Sequence, residues 1–242
     1  MMLPKNCPLD EESGAREEMQ EVELERGFQT VGEVAALSHA FAMSEPDQAA
    51  RLIEDVDLLR AQEYDMLAAL LGRAPTSDTL ARIAQIEGGS SPLGAAHAAL
   101  AKAAAEQDPD DLQNEFFGLF IGVGRGELLP YASYYLTGFL NERPLARVRE
   151  DLGAMGVERA ENQYEPEDHI AILFEIMAGL AAGRFPAEPG MEKRFFERHI
   201  LPWTERFFTD LEDAKSARFY RPVAALGRLF IEIETEAFAM DS

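Results

Sequence analysis

The sequence predicts an all-α protein, a single helical domain of roughly nine or ten helices. Three observations carry that expectation. From about residue 27 onward, apolar residues recur mostly at three- and four-residue spacing. The pairs Ser91-Pro92 and Asp108-Pro109 each place a side-chain acceptor at a helix N-cap and proline at the first helical position, where its missing N–H is no loss. Few stretches alternate apolar and polar residues over strand length, and none joins a neighbour through an Asn-Gly or Asp-Gly hairpin turn.

Taken in order, residues 1–26 stand apart. Between Asp10 and Glu25 eight acidic residues face one basic residue, Arg16, and only Met19, Val22 and Leu24 are sizeable apolar groups. So little apolar surface does not offset the entropy of ordering, so 1–26 reads as a mobile acidic tail and 27–242 as the helical domain. Leu52, Val56, Leu59, Tyr64, Leu67 and Leu71 approximate one helix face and Gly72 supplies the stop, which predicts a long helix over 48–71. Two further helices start at the capped prolines 92 and 109. Glycines 118, 122, 124 and 126, with Pro130, then break the pattern into a loop.

Downstream, Glu165-Pro166-Glu167-Asp168-His169 is expected to open a helix, since proline suits a first turn and carboxylates complement the positive end of the helix dipole. His169 begins a stripe that continues through Ile172, Leu173, Ile176, Met177 and Leu180. In the last third, Phe195, Phe196, Trp203, Phe207 and Phe208 flank Pro202, which ends or kinks a helix while the rings pack the junction as core.

Composition removes several function classes. The 242 residues include 22 basic and 44 acidic side chains, a formal charge of −22, which opposes binding to the phosphate backbone of a nucleic acid. A single cysteine, Cys7, allows no intramolecular disulfide and no cysteine-held cluster, in keeping with a reducing compartment. The N-terminus has neither a basic region nor an apolar core of a secretory signal, and no apolar run approaches the roughly 20 residues of a membrane span. A soluble, cytoplasmic protein is expected.

The densest functional signal lies in 116–140. These 25 positions hold seven of the 22 aromatic residues, Phe116, Phe117, Phe120, Tyr131, Tyr134, Tyr135 and Phe139, and only two charges, Arg125 and Glu127. An even spread would put about two rings there, so a rigid apolar loop between aromatic helices, suited to an apolar peptide, is the natural reading. Phe116, Leu119 and Phe120 fit a core-facing stripe, whereas Tyr131, Ser133 and Tyr134 combine contact area with a polar handle. The Gly122-Val-Gly124-Arg-Gly126 stretch lacks the Gly-Lys-Ser/Thr ending of a phosphate loop, and Ser133 lacks the Gly-x-Ser-x-Gly turn of a serine nucleophile. His169 with its neighbouring carboxylates makes a weak metal site without a second histidine, and His39, His97 and His199 offer no ligand spacing.

Four motifs in order carry a resemblance: Glu115-Phe116-Phe117-Gly118-Leu119-Phe120 with Gly122; Pro130-Tyr131-x-Ser133-x-Tyr135-Leu136; Glu165-Pro166-Glu167-Asp168-His169; and Phe195-Phe196-x-x-His199 with Pro202-Trp203. Over about 58–238 the chain resembles the molybdoenzyme maturation chaperones that include the TorD, DmsD and NarJ proteins. The resemblance implies a TorD-like helical fold, no catalytic activity and no cofactor of its own. It also implies a partner, the twin-arginine signal peptide or apoprotein of a molybdenum or tungsten oxidoreductase held before export, and a chaperone that is itself a monomer or homodimer. It assigns client binding to Pro130, Tyr131, Ser133, Asp168 and His169, supported by Phe116 and Phe120. Tyr134 and Glu165 join them, Tyr134 for its ring area and polar handle and Glu165 as a carboxylate for the peptide's arginines. Gly126-Glu127-Leu128-Leu129-Pro130-Tyr131 with Tyr134-Tyr135-Leu136-Thr137-Gly138 resembles the branches that accompany formate dehydrogenase-like enzymes. The competing readings are a metal-dependent hydrolase using His169 and nearby carboxylates, and a scaffold for the folded catalytic subunit.

Overall fold

The computed structural model describes residues 55–158 and 164–240, and its contacts group 51–159 with 165–242 as one unit. The acidic tail, Cys7, His39 and the first residues of the 48–71 helix lie outside the described residues. Among those described there are ten α-helices and no strand: α1 Asp55–Gly72, α2 Ser77–Ile83, α3 Pro92–Glu106, α4 Pro109–Phe116, α5 Ala132–Thr137, α6 Arg143–Ala154, α7 Ile170–Ala181, α8 Met191–Phe195, α9 Thr204–Asp213 and α10 Tyr220–Met240. Both α4 and α8 run on into a single π-helical turn, Phe117–Ile121 and Phe196–Ile200.

The two proline starts form as the sequence requires. The Ser91 hydroxyl accepts the Gly94 N–H at 3.1 Å, and the Asp108 carboxylate accepts those of Asp110 and Asp111 at 2.9 and 3.2 Å. Each cap satisfies helix-end donors that would otherwise face water. Helix α7 is apolar on nearly every side, as befits a helix surrounded by others, and packs mainly on α1. Tyr64 of α1 meets Phe174 of α7 and Phe230 of α10 edge-on, at 5.4 and 4.7 Å between centroids. Gly227 lets α9 and α10 approach, because a Cβ there would overlap the Phe208 ring.

Two expectations about these helices need correction. On α1 the buried face runs through Asp57, Ala61, Tyr64 and Ala68, while Val56 and Leu59 are 54% and 64% exposed. The cause is polar. Arg60 turns inward and donates to both Glu234 oxygens at 2.7 and 2.6 Å, to Glu192 at 2.7 Å and to Asp57 at 2.9 Å, with the Tyr64 hydroxyl on Glu234 at 2.9 Å. This network joins α1, α8 and α10, and it swings the first turns of α1 away from the apolar stripe. The second correction concerns α7, which starts at Ile170; Glu165 to Asp168 precede it, and His169 is the N-cap. A turn over 166–169, closed by the His169 N–H on the Pro166 carbonyl, leads into extended backbone at His169 that pairs with Tyr131, so the helix cannot reach back to Pro166.

Candidate functional site

The segments 130–133 and 165–169 are joined through their main chains. The Pro130 carbonyl accepts the Ile170 N–H at 2.9 Å and the Asp168 carbonyl accepts the Ala132 N–H at 3.0 Å, forming an isolated antiparallel bridge between Tyr131 and His169. The two rings meet edge-on, 5.0 Å apart. One Asp168 carboxylate oxygen, Oδ2, accepts the Ser133 N–H at 2.8 Å in the first turn of α5. The Tyr131 hydroxyl donates to Glu165 at 2.5 Å, and Arg149 of α6 donates to Glu167 at 2.8 Å. Five of the nine sequence-derived residues, Pro130, Tyr131, Ser133, Asp168 and His169, thus pack at this junction, with Glu165 at its rim.

Exposure divides their roles. Asp168 and Ser133 are 0% exposed, and the Asp168 Oδ1 and Ser133 Oγ atoms find no hydrogen-bond partner among the described residues. His169 is buried as well, its Nδ1 accepting the Ala171 N–H at 3.1 Å. A ring nitrogen that accepts is unprotonated, which places the proton on Nε2. Burial pushes the His169 pKa down to about 4 against the opposing pull of Glu165, so the ring is neutral at pH 7. Burial, then the Glu165 carboxylate, raises the Tyr131 hydroxyl. Glu165 is exposed, and Tyr131 and Tyr134 are half-buried. Phe116 and Phe120 meet each other at a tilt, 5.1 Å between centroids, and pack on Tyr220 at 6.0 and 5.3 Å, the second edge-on, against the core.

Beside this junction lies a cleft of about 270 Å³ lined by Arg125, Leu128, Leu129, Tyr134, Leu136 and Arg206, among others. Arg125 donates to the Tyr134 hydroxyl at 2.6 Å and lies over its ring, and Arg206 lies over Tyr135. Of the thirteen large hydrophobic side chains exposed among the described residues, Phe117, Ile121, Val123, Leu136, Phe139 and Leu140 fall within 24 residues.

A family model described as nitrate reductase delta subunit matches residues 87–209, just over half of the chain. The chain belongs to this family. Among curated relatives of this delta-subunit-family chain is the chaperone protein TorD of Vibrio cholerae serotype O1, 34% identical over 131 residues, 50% of this chain and 60% of the relative. The chaperone protein TorD of Vibrio atlanticus is 29% identical over 139 residues, 53% of this chain and 65% of the relative. Both matches span less than two thirds of the relatives' length. A crystal structure from Archaeoglobus fulgidus, described as that of a redox enzyme maturation protein, has a TM-score of 0.52 and 21% identity, covering 77% of this chain and 99% of its own. At that identity it shows the fold.

The matched region of this delta-subunit-family chain holds side chains that the sequence reading left without a role. Glu115 is buried and accepts the N–H groups of Arg218, Phe219 and Tyr220 at 2.7, 3.2 and 2.9 Å, capping α10 from about a hundred residues away. Glu127 accepts those of Lys215 and Ser216 at 2.7 and 3.1 Å. Glu127 has one sequence signal, solitude, as the lone carboxylate of an apolar, ring-rich stretch; Glu115, which follows three aspartates on a polar helix, has none. No three His, Cys, Asp or Glu side chains converge as metal ligands among the described residues, and no described helix is long and apolar enough to cross a membrane.

Proposed function

We propose that the chain is a cytoplasmic, non-enzymatic maturation chaperone that binds the twin-arginine signal peptide of a molybdenum or tungsten oxidoreductase, formate dehydrogenase-like in type, during cofactor insertion and before export. Family membership and relatives named as chaperones support the class. One observation supports the site: the exposed Glu165 carboxylate stands on Tyr131, and the helix that Tyr131 caps leads to the exposed Leu136, Phe139 and Leu140. A peptide that is cationic at one end and apolar along its body fits such a surface, with the carboxylate meeting arginine and the apolar side chains meeting the run beyond it. Asp168, Ser133 and His169 serve by holding α5 and α7 in place beneath it. His169 is committed to capping α7 and is buried, which disfavours the hydrolase reading.

Titration of a fluorescent leader peptide by anisotropy tests the proposal. Saturable binding is expected, weakened when the leader's two arginines become glutamine and weakened again by Glu165→Gln. A leaderless catalytic subunit that binds as tightly as its precursor would overturn it in favour of a scaffold for the folded enzyme.

A further inference from the structure

Of the six backbone N–H groups from Lys215 to Tyr220, five are accepted by two carboxylates that come from opposite ends of one segment, 115–127. The sixth, of Ala217, goes to the Ala214 carbonyl. Glu115 is buried and fixes one end of the segment permanently. Glu127 is exposed and fixes the other. Between them lie the π-helical turn and a loop with three glycines, of which Gly122 has φ +62°, a conformation that favours glycine. The loop's main chain returns onto its own turn, Glu127 N–H to Gly118 carbonyl at 3.1 Å and Leu128 N–H to Leu119 carbonyl at 2.8 Å. Arg125 ties it to Tyr134. The Glu127 carboxylate ties it to the turn before α10, and Pro130 and Tyr131 follow within four residues.

We infer that Glu127 is a positioning residue for the client-binding surface, holding the glycine loop in the arrangement that presents Tyr131 and Tyr134 together. The inference rests on the proposed chaperone function for its client and on the hydrogen bonds above for its mechanism. Glu127 lines the cleft, but both its carboxylate oxygens are taken up by the Lys215 and Ser216 N–H groups, so its part is to set the fraction of molecules already competent to bind. Where a binding-competent arrangement is only fractionally populated, apparent affinity falls by that fraction. Without the carboxylate tie the loop keeps only its own main-chain bonds and the Arg125–Tyr134 contact, and its glycines widen the set of arrangements open to it. Burial raises the Glu127 pKa, but the Lys215 and Ser216 N–H groups outweigh it and keep the group below the ordinary glutamate value, so the tie is fully charged at neutral pH.

Stopped-flow binding of a fluorescent leader peptide, with Glu127→Gln against the parent chain, reads this directly. The expected result is an association rate about tenfold lower with the dissociation rate and the melting temperature unchanged, the signature of a smaller competent fraction. A loss confined to the dissociation rate would make Glu127 a contact, and an unchanged association rate would leave the loop's tie without function; either overturns the inference. In the free protein, hydrogen exchange at the Lys215 and Ser216 amides must accelerate in Glu127→Gln, and no acceleration also overturns it. A parent chain that binds no leader defeats the proposed function instead, and the exchange measurement still decides whether Glu127 orders the loop.

Discussion

Replacing Asp168 by alanine or by asparagine separates a side chain that touches a client from one that places others. Alanine removes a buried, charge-assisted hydrogen bond to the Ser133 N–H and leaves that donor without an acceptor, a loss of about 1.5–3 kcal/mol. For a chain of this size each kcal/mol lowers the melting temperature by roughly 2–4 °C, so Asp168→Ala is expected to melt about 3–12 °C lower. Asparagine keeps an acceptor at the same place, and the loss shrinks to about 1 kcal/mol or less. Because no part of Asp168 reaches solvent, Asp168→Asn is expected to bind leader peptide within about twofold of the parent, whereas exposed Glu165→Gln weakens binding up to about fivefold, about 1 kcal/mol, with no change in melting. Calorimetric melting beside peptide anisotropy on the same preparations makes the comparison. If Asp168→Asn lost binding by more than tenfold while melting like the parent, the carboxylate itself would be meeting the client, and its assignment as a buried support would be wrong.

Other outcomes follow from the same geometry. Arg60→Met strands the buried Glu234 carboxylate and is expected to cost about 3–5 kcal/mol in urea unfolding, a loss that Arg60→Met with Glu234→Gln partly restores; a loss under 1 kcal/mol would refute the network's role. His169 has a folded pKa of about 4 against an ordinary 6.5, so the stability it contributes is complete above pH 6.5 and is lost as pH falls towards 4. His169→Asn keeps an N-cap acceptor and should flatten that part of the pH–stability curve. His97 runs the other way: its hydrogen bond to Glu63 at 2.9 Å raises its pKa, so its contribution is present below pH 6.5 and fades as pH rises through the shifted value, an effect that His97→Ala should abolish.

What the sequence discloses here is what is local. The caps at Ser91 and Asp108 satisfy donors two and three residues away, and the apolar run of α7 announces a buried helix. The start of α7 was misplaced because proline and carboxylates mimic a first turn, whereas the backbone at 168–170 is claimed by 130–132 through hydrogen bonds with no local signature. Val56 and Leu59 were misassigned for a similar reason, since partners 132 and 174 residues from Arg60 decide which face of α1 turns inward. Residue types at the site were legible and their exposure was not. Asp168 and Glu165 look alike in sequence, yet one lies under the junction and the other at its edge. The amide partners of Glu115 and Glu127 lie about ninety to a hundred residues onward, beyond any pattern of spacing.

The distance between Arg60 and Glu234 also sets a clock. Their 174 residues of separation mean that, at synthesis rates of about 5–20 residues per second, roughly 9–35 s pass between the emergence of the guanidinium and that of its principal counter-ion. During that interval α1 and α7 can already lie against each other through apolar contact, while Arg60 remains hydrated. The contact between α1 and α7 can therefore precede the latch, which waits for α10 together with the core residues Val223, Leu226 and Phe230 that the same helix brings.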